Sequence, residues 1–409
     1  MADVCILTDY CFYFIFSLIL RKKKLNKRLR YSPMKIAVSV QHLVKDKLEG
    51  IGWFTYETIK RIVQQHPEHE FLFIFGKGID QSFIFGENVK AINVGPPFFR
   101  PLAWYLKFNF ILPFILKKQQ VDLFISTDGI TISNLKIKNL EVIHDLNFEE
   151  NPAWLPKSFA KYYKKNFPKW AKSSTRIATV SEHAKQTIHQ KYQVPLDKID
   201  VVYNGSNDLY KPISKEEQQQ TKKEYTDGAD YFLFVGSLHP RKNIDNLLKA
   251  FDEFKKLDNS NVKLIIVGSR FYWNKSIKNA YDNLIHKDDI VFTDHLTVQK
   301  LVNIFASSIA LTYVSLYEGF GIPLLEAMNC ETAIITSNTT SMPEIAHDAA
   351  LFVNPASVNE IADAMLKMST QPELRSELIE KGKERRKAFS WQQTADKLWL
   401  SIEKVINSD

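Results

Sequence analysis

Two carboxylates bracket a glycine-bearing loop: Glu318, then Gly319-Phe320-Gly321, then Glu326, eight residues after the first. An apolar run, Ile309 to Val314, precedes the loop and reads as a buried strand. Pro323 opens an apolar segment, Leu324 to Met328, that reads as a helix, since proline suits a first helical turn. Strand, glycine loop and helix together aim free N–H groups and the positive end of a helix dipole at an anion, usually phosphate. The eight-residue spacing places the acids around the helix start instead of along one helix face. Beside a phosphate they would repel it unless they pointed at hydroxyls. A sugar nucleotide offers hydroxyls at both ends, on the sugar and on the ribose. Taken alone, the pair also fits an ordinary strand–helix turn with solvated acids.

Three further groups carry chemistry. In Gly236-Ser237-Leu238-His239-Pro240-Arg241-Lys242-Asn243, two adjacent cations sit between a strand and the next helix. Arg241 by forked hydrogen bonds and Lys242 as a point charge would clamp a diphosphate; a solvated basic turn is the alternative. His144-Asp145 ends another strand; a structural histidine is one reading, and a working one whose ring Asp145 would orient is the other. Gly50-Ile51-Gly52 follows the first strand, where a doubly wound sheet puts its ligand-facing loop; a plain turn is the alternative. No D-x-D pair occurs, so stabilisation of a leaving diphosphate by cations and a helix terminus, without metal, is the expected chemistry.

The elements that must hold these residues alternate. Ile36–Val40, Phe71–Phe75, Val121–Ile125, Val142–His144 and Ile177–Val180 read as strands, with a helix from about Phe54 to Gln65 and another after Ser181, a good N-cap. A polar stretch, Asn204 to Asp230, lacks this pattern and marks a boundary near Leu209. The alternation resumes at Phe232–Val235 and runs through Leu351–Val353. Trp391 to Ile406 reads as a last amphipathic helix. The implied fold class is α/β, two Rossmann-like doubly wound domains facing a cleft. The expected limits are an N-terminal extension or membrane anchor (1–33), a first Rossmann-like domain (34–208), a second Rossmann-like domain (209–388) and a C-terminal helix (389–409).

The chain has 409 residues, 45% hydrophobic and 24% charged, an ordinary globular composition. Of the net charge of +8, residues 1–33 supply +5 through seven basic and two acidic side chains. Only +3 remains for the other 376 residues, which argues against a nucleic-acid partner. The three separated cysteines form neither a disulfide framework nor a metal cluster and suit the reducing cytoplasm. Residues 4–20 are apolar except for a few polar positions, Asp9 among them, and a basic run follows. A membrane anchor with the body of the chain inside and a dispensable extension before Met34 both fit. Phe98 to Lys118 is aromatic with basic ends. It suits docking on a membrane surface, although a helix packed on its sheet is the favoured reading.

The text SLYEGFG, LEAM and SMPEI, with VIHDLNFEENPAWLPKSFAKYY around His144, resembles the E-x7-E retaining glycosyltransferases of GT-B fold, family 4, especially their mannosyltransferase-like branch. The resemblance runs from about Lys35 to Val405. It implies that Glu326 holds the ribose, while Glu318 and the backbone of Gly319, Phe320 and Gly321 hold the donor sugar. It places His144 at the sugar, and Gly50 and Gly52 in a loop approaching the donor from the first domain. The implied reaction moves a hexosyl unit, mannose favoured, from a nucleotide diphosphate sugar to a glycan or lipid-linked saccharide. GDP-mannose is favoured over a UDP-hexose, and no cofactor is implied. Acceptor choice would lie near Trp53, Phe54 and Trp104. Two departures stand out: Ser237 where many members have arginine, and Glu331 where a glycine would close the motif helix. A sugar-nucleotide epimerase or phosphorylase, or a non-catalytic sugar-nucleotide binder, are the alternatives.

Overall fold

The computed structural model describes residues 32–95, 101–132, 135–258, 260–269 and 273–408. Most of the N-terminal segment (1–33), with its anchor and extension readings, lies outside the described residues.

Strands β1 (Lys35–Ser39), β2 (Glu70–Phe75), β3 (Val89–Asn93), β4 (Leu123–Ser126), β5 (Lys138–Ile143), β6 (Arg176–Thr179) and β7 (Ile199–Val201) form one sheet in the order β3-β2-β1-β4-β5-β6-β7. Strands β8 (Tyr231–Val235), β9 (Lys263–Val267), β10 (Ile290–Thr293), β11 (Ala310–Tyr313), β12 (Ala333–Ser337) and β13 (Leu351–Val353) form a second, β10-β9-β8-β11-β12-β13. Every pairing is parallel. Parallel strands are covered on both faces by crossover helices, so they need apolar side chains on both. Phe71, Leu72, Phe73, Ile74 and Phe75 meet that need, as do Phe232, Leu233 and Phe234, all buried. The order reverses beside β1, toward β4, and beside β8, toward β11. Such switch points open a crevice at the carboxyl ends of the strands. The fold is α/β of the GT-B type, as the sequence implies.

The polar stretch from Asn204 to Asp230 holds a helix, Lys215–Thr226, that periodicity does not reveal. Only Thr221 and Thr226 are buried in it, so it has no apolar stripe. Its start is nevertheless written in the sequence: Ser214 and Glu217 form a reciprocal capping box. The last helix, Trp391–Ile406, packs back on the helix Gly50–Gln65, the first among the described residues. The Trp391 ring meets Phe54 at 6.5 Å, and Trp399 stacks on His66 at 3.5 Å. Lys404 pairs with Asp200 at 2.6 Å.

Within the aromatic segment, helices Pro101–Leu106 and Leu112–Lys118 flank a π-helical turn, Lys107–Ile111. Phe108, Leu112 and Leu116 are buried against the first sheet, while Phe110 and Phe114 stay 59% and 67% exposed. Sheet packing and an exposed aromatic face therefore coexist. Among the described residues, no helix is long and apolar enough to cross a membrane.

Candidate active site

A cleft of about 960 Å³ lies between the two sheets, and all ten residues singled out above line it: Gly50, Gly52, His144, Arg241, Lys242, Glu318, Gly319, Phe320, Gly321 and Glu326.

Its second-domain wall is built on β8 and β11. A single 3-10 turn, Pro240–Lys242, follows β8, with the Nδ1 of His239 accepting from Arg241 N at 3.3 Å. Asn243 closes the turn in a left-handed conformation, φ 63°, and donates to Val314 O at 3.0 Å and Pro355 O at 2.7 Å. The backbone of Leu316 donates to Arg241 O at 2.8 Å, so the basic turn is tied to the chain leaving β11. Both cations then converge on one carboxylate. Arg241 Nη1 lies 2.6 Å from Glu318 Oε2, and Lys242 Nζ lies 2.6 Å from Glu318 Oε1. The Tyr313 hydroxyl donates to Oε1 at 3.0 Å and touches the Lys242 ammonium. Glu318 is 5% exposed and Lys242 7%. Burial would raise the Glu318 carboxyl, but Arg241 and Lys242 outweigh it and hold it at about 2. Burial, joined by the charge of Arg241, brings Lys242 down to about 8.

Glu326 has a different setting. It is half-buried on the helix Ile322–Asn329, and no cation stands within ion-pairing distance among the described residues. Burial pushes it up to about 7, opposed by the Tyr210 hydroxyl. One carboxylate is thus locked as an anion on two cations, and the other wants hydrogen-bond donors, a division set wholly by environment.

The loop between them depends on glycine at two points. Gly321 caps the helix at φ 98°. A Cβ on Gly319 would lie 2.2 Å from His144 O and 2.8 Å from the Asp145 Cβ, so the two domains touch here with no room for a methyl group. Phe320 is turned inward, 5.8 Å from the Phe389 ring, and offers the cleft its backbone. At the far end of the helix, Glu331 adopts φ 56°, the left-handed conformation that a glycine would take there. Glu331 N reaches Met328 O at 3.3 Å and Thr332 N reaches Ala327 O at 2.9 Å, a Schellman closure formed without glycine.

On the first-domain wall, His144 follows β5. Its Nε2 is 2.9 Å from Thr127 O, which can only accept, so Nε2 carries the proton. Burial lowers the ring below its usual value, which keeps it neutral and leaves Nδ1 as an acceptor. The Thr127 carbonyl orients the ring; Asp145 instead accepts from Asn147 N at 3.0 Å and Asn147 Nδ2 at 2.6 Å. Gly50 and Gly52 occupy the first helical turn, because the helix begins at Gly50 and not near Phe54. A Cβ on Gly52 would meet His42 O at 2.9 Å, whereas Gly50 faces open space. Phe54 is fully buried, edge-on to the His144 ring at 4.9 Å, so it supports the site from behind and cannot meet an acceptor. The side chain of Trp104 lies outside what is described.

One polar cluster was not anticipated. Asp128, just past β4, accepts from Ser126 Oγ at 2.9 Å and from the Gln41 amide, with His42 Nε2 at 3.4 Å. Burial would raise this carboxyl, but His42 and Gln41 bring it below its usual value. The buried Lys107 reaches Gln41 Oε1 at 3.5 Å. The Thr127-Asp128-Gly129 turn after a strand beside the switch point was the available signal. Among the described residues, no group of three or more His, Cys, Asp or Glu side chains is placed to hold a metal ion.

Two doubly wound domains, a cleft at both switch points and this carboxylate–cation wall define a GT-B glycosyltransferase. The chain belongs to glycosyltransferase family 4: the profile described as Glycosyltransferase Family 4 matches residues 48–208, and that of Glycosyl transferases group 1 matches residues 214–385. It is 26% identical over 373 residues to the O-antigen chain mannosyltransferase B of Escherichia coli, covering 88% of this chain and 97% of that one. It is 31% identical over 258 residues to the O-antigen chain mannosyltransferase RfbU of Salmonella typhimurium, covering 63% and 67%. The Anabaena HepE structure, in complex with UDP and glucose, shares the fold at a TM-score of 0.70 and 14% identity, covering 91% of this chain and 100% of that one.

Proposed function

We propose that this glycosyltransferase moves a mannosyl unit from GDP-mannose to a hydroxyl of a glycan or lipid-linked saccharide, with retention of configuration and without a metal ion. The observation that carries the reading is the convergence of Arg241 and Lys242 on Glu318 at the cleft floor, in a chain similar to two mannosyltransferases. The clamp exchanges the Glu318 carboxylate for the donor diphosphate. Arg241, Lys242 and the helix start at Gly321 then stabilise the charge that develops on the leaving group. Glu326 accepts from the two ribose hydroxyls. Glu318, released, and the loop backbone face the sugar, with His144 opposite. The acceptor oxygen attacks the anomeric carbon from the face that the diphosphate leaves. The bond from carbon to phosphate oxygen breaks, and the departing phosphate oxygen takes the acceptor proton. Closure of the domains excludes water and aligns the reactants.

A UDP-hexose is the competing donor, since the HepE neighbour is a complex with UDP and glucose. A thermal-shift series with GDP-mannose, UDP-glucose and dTDP-glucose separates them, because a ligand at a hundredfold its dissociation constant adds about 2.7 kcal/mol. Stabilisation by UDP-glucose alone would overturn the GDP-mannose reading. GDP release that persists in excess EDTA is expected; a loss that added Mg2+ restores would overturn the metal-free clamp. The exposed faces of Tyr105, Phe110 and Phe114, followed by Lys117 and Lys118, favour a place at the inner membrane face in the cytoplasm. Co-sedimentation with anionic vesicles tests it.

A further inference from the structure

The SMPEI segment lines neither wall of the cleft, yet its polar side chains bridge the donor loop and the opposite domain. Ser341 Oγ lies 3.0 Å from Glu318 O and 3.1 Å from Phe320 O, so its hydroxyl fastens the donor loop from beneath. Three residues on, the Glu344 carboxylate leaves its own domain. Oε1 accepts from Glu182 N at 2.7 Å and Oε2 from His183 N at 3.0 Å. These are the first N–H groups of the helix Glu182–Tyr192, which leads out of β6 in the other domain. A carboxylate accepting two orphan N–H groups at the positive end of a helix is a favourable contact. The segment behind Glu344 is braced by Arg385, which donates to Glu344 O at 2.7 Å and to Ile345 O at 2.9 Å. The same helix start is joined to the donor loop a second time. Ser181 Oγ donates to Gly319 O at 2.7 Å while accepting from Ala184 N at 3.0 Å.

We infer that Glu344 is a positioning residue: it latches the closed state by capping the helix Glu182–Tyr192, and Ser341 carries that closure to the donor loop. Only when the cap forms does the Ser181 hydroxyl meet the Gly319 carbonyl and set the loop against His144. The Glu344 carboxylate touches neither Arg241, Lys242 nor Glu326, and Ser341 meets only backbone carbonyls of the loop, so the latch acts on closure and turnover and leaves nucleotide affinity alone. It rests on the donor-site reading above only for the choice of nucleotide.

Glu344→Gln leaves one acceptor and turns an NH2 toward the second N–H. Losing a charge-assisted bond that exists in one of two states shifts their balance by about tenfold or more. The expected result has three parts: GDP affinity by calorimetry within about threefold of the parent, GDP release from GDP-mannose slowed by about tenfold or more, and an expanded ligand-free chain in small-angle scattering. Ser181→Ala, made wholly in the other domain, should reproduce this split, which guards against a local folding defect in either variant. Parent-like scattering and turnover in Glu344→Gln would overturn the latch. So would a loss of GDP affinity in step with turnover. Scattering needs no nucleotide, so a parent chain that binds neither GDP nor UDP would refute the donor-site reading and leave the latch to be decided by scattering.

Discussion

The ammonium of Lys242 lies 2.6 Å from the Glu318 carboxylate, and with Arg241 on the other oxygen the two cations expected to hold a diphosphate share one anion that cancels one of their charges. On the proposed donor binding, a diphosphate taking these two cations would displace the carboxylate, an exchange of anions that would free Glu318 toward the sugar.

Glu318→Gln should consequently tighten the binding of GDP alone. The substitution keeps the shape, leaves Arg241 and Lys242 unpaired, and removes the repulsion between carboxylate and phosphate. Charge-assisted bonds contribute about 1.5–3 kcal/mol each, so a gain of about tenfold in GDP affinity is expected, with lower turnover. Calorimetry on parent and mutant checks it. Unchanged or weaker GDP binding would mean that Glu318 does not occupy the clamp in solution.

The pH dependence of GDP affinity follows from two groups displaced toward neutrality. Lys242, lowered to about 8, binds phosphate when protonated, so affinity should fall as pH rises through about 8. Glu326, raised to about 7, accepts hydroxyls best when ionised, so affinity should climb as pH rises through about 7. The product is a narrow maximum between the two. Glu326→Gln should lower affinity overall and weaken the acid limb, leaving only the part due to titration of the phosphate itself. An acid limb unchanged in this mutant would show that the carboxylate is not a ligand of the nucleotide.

The cleft was legible in the sequence to the extent that local patterns specify it. The β–α alternation, the Ser181 cap and the glycine loop are written in contiguous residues, and all ten chosen positions line one cavity. The Glu318 pairing was not legible, because it joins positions 76 and 77 apart through side-chain directions that no periodicity encodes. The helix Lys215–Thr226 was hidden for the opposite reason. Its stability comes from a cap and its neighbours, with no apolar stripe to read. Asp145 shows the limit of adjacency. It neighbours His144 in the chain, but the histidine is oriented by Thr127, 17 residues away.

Glu331 gives a test of stability away from the chemistry. A left-handed conformation costs a side-chain-bearing residue about 1 kcal/mol, and glycine is spared that cost. The ion pairs of Glu331 with Lys383 at 3.2 Å and Arg386 at 3.8 Å are solvent-screened and offset little of it. Glu331→Gly should raise the melting temperature slightly and leave turnover unchanged. A lower melting temperature would show that the ion pairs outweigh the backbone strain.

Gly319 tests the closed cleft most directly. Its φ is not in the left-handed region, so an alanine there meets no backbone penalty of its own; the obstacle is the other domain. The added methyl would lie 2.2 Å from His144 O, far inside van der Waals contact, and 2.8 Å from the Asp145 Cβ. Neither neighbour is the tip of a flexible side chain that could swing aside. The domains must therefore separate at this point, which also breaks the bond from Ser181 Oγ to Gly319 O. Arg241, Lys242 and Glu326 all belong to the second domain and keep their places. GDP should bind Gly319→Ala nearly as well as it binds the parent, while misplacement of the reactants by an ångström lowers turnover by about a hundredfold. Calorimetry with GDP and the rate of GDP release from GDP-mannose measure the two effects separately. Near-parent turnover would mean that the reaction does not pass through the arrangement in which Gly319 meets His144.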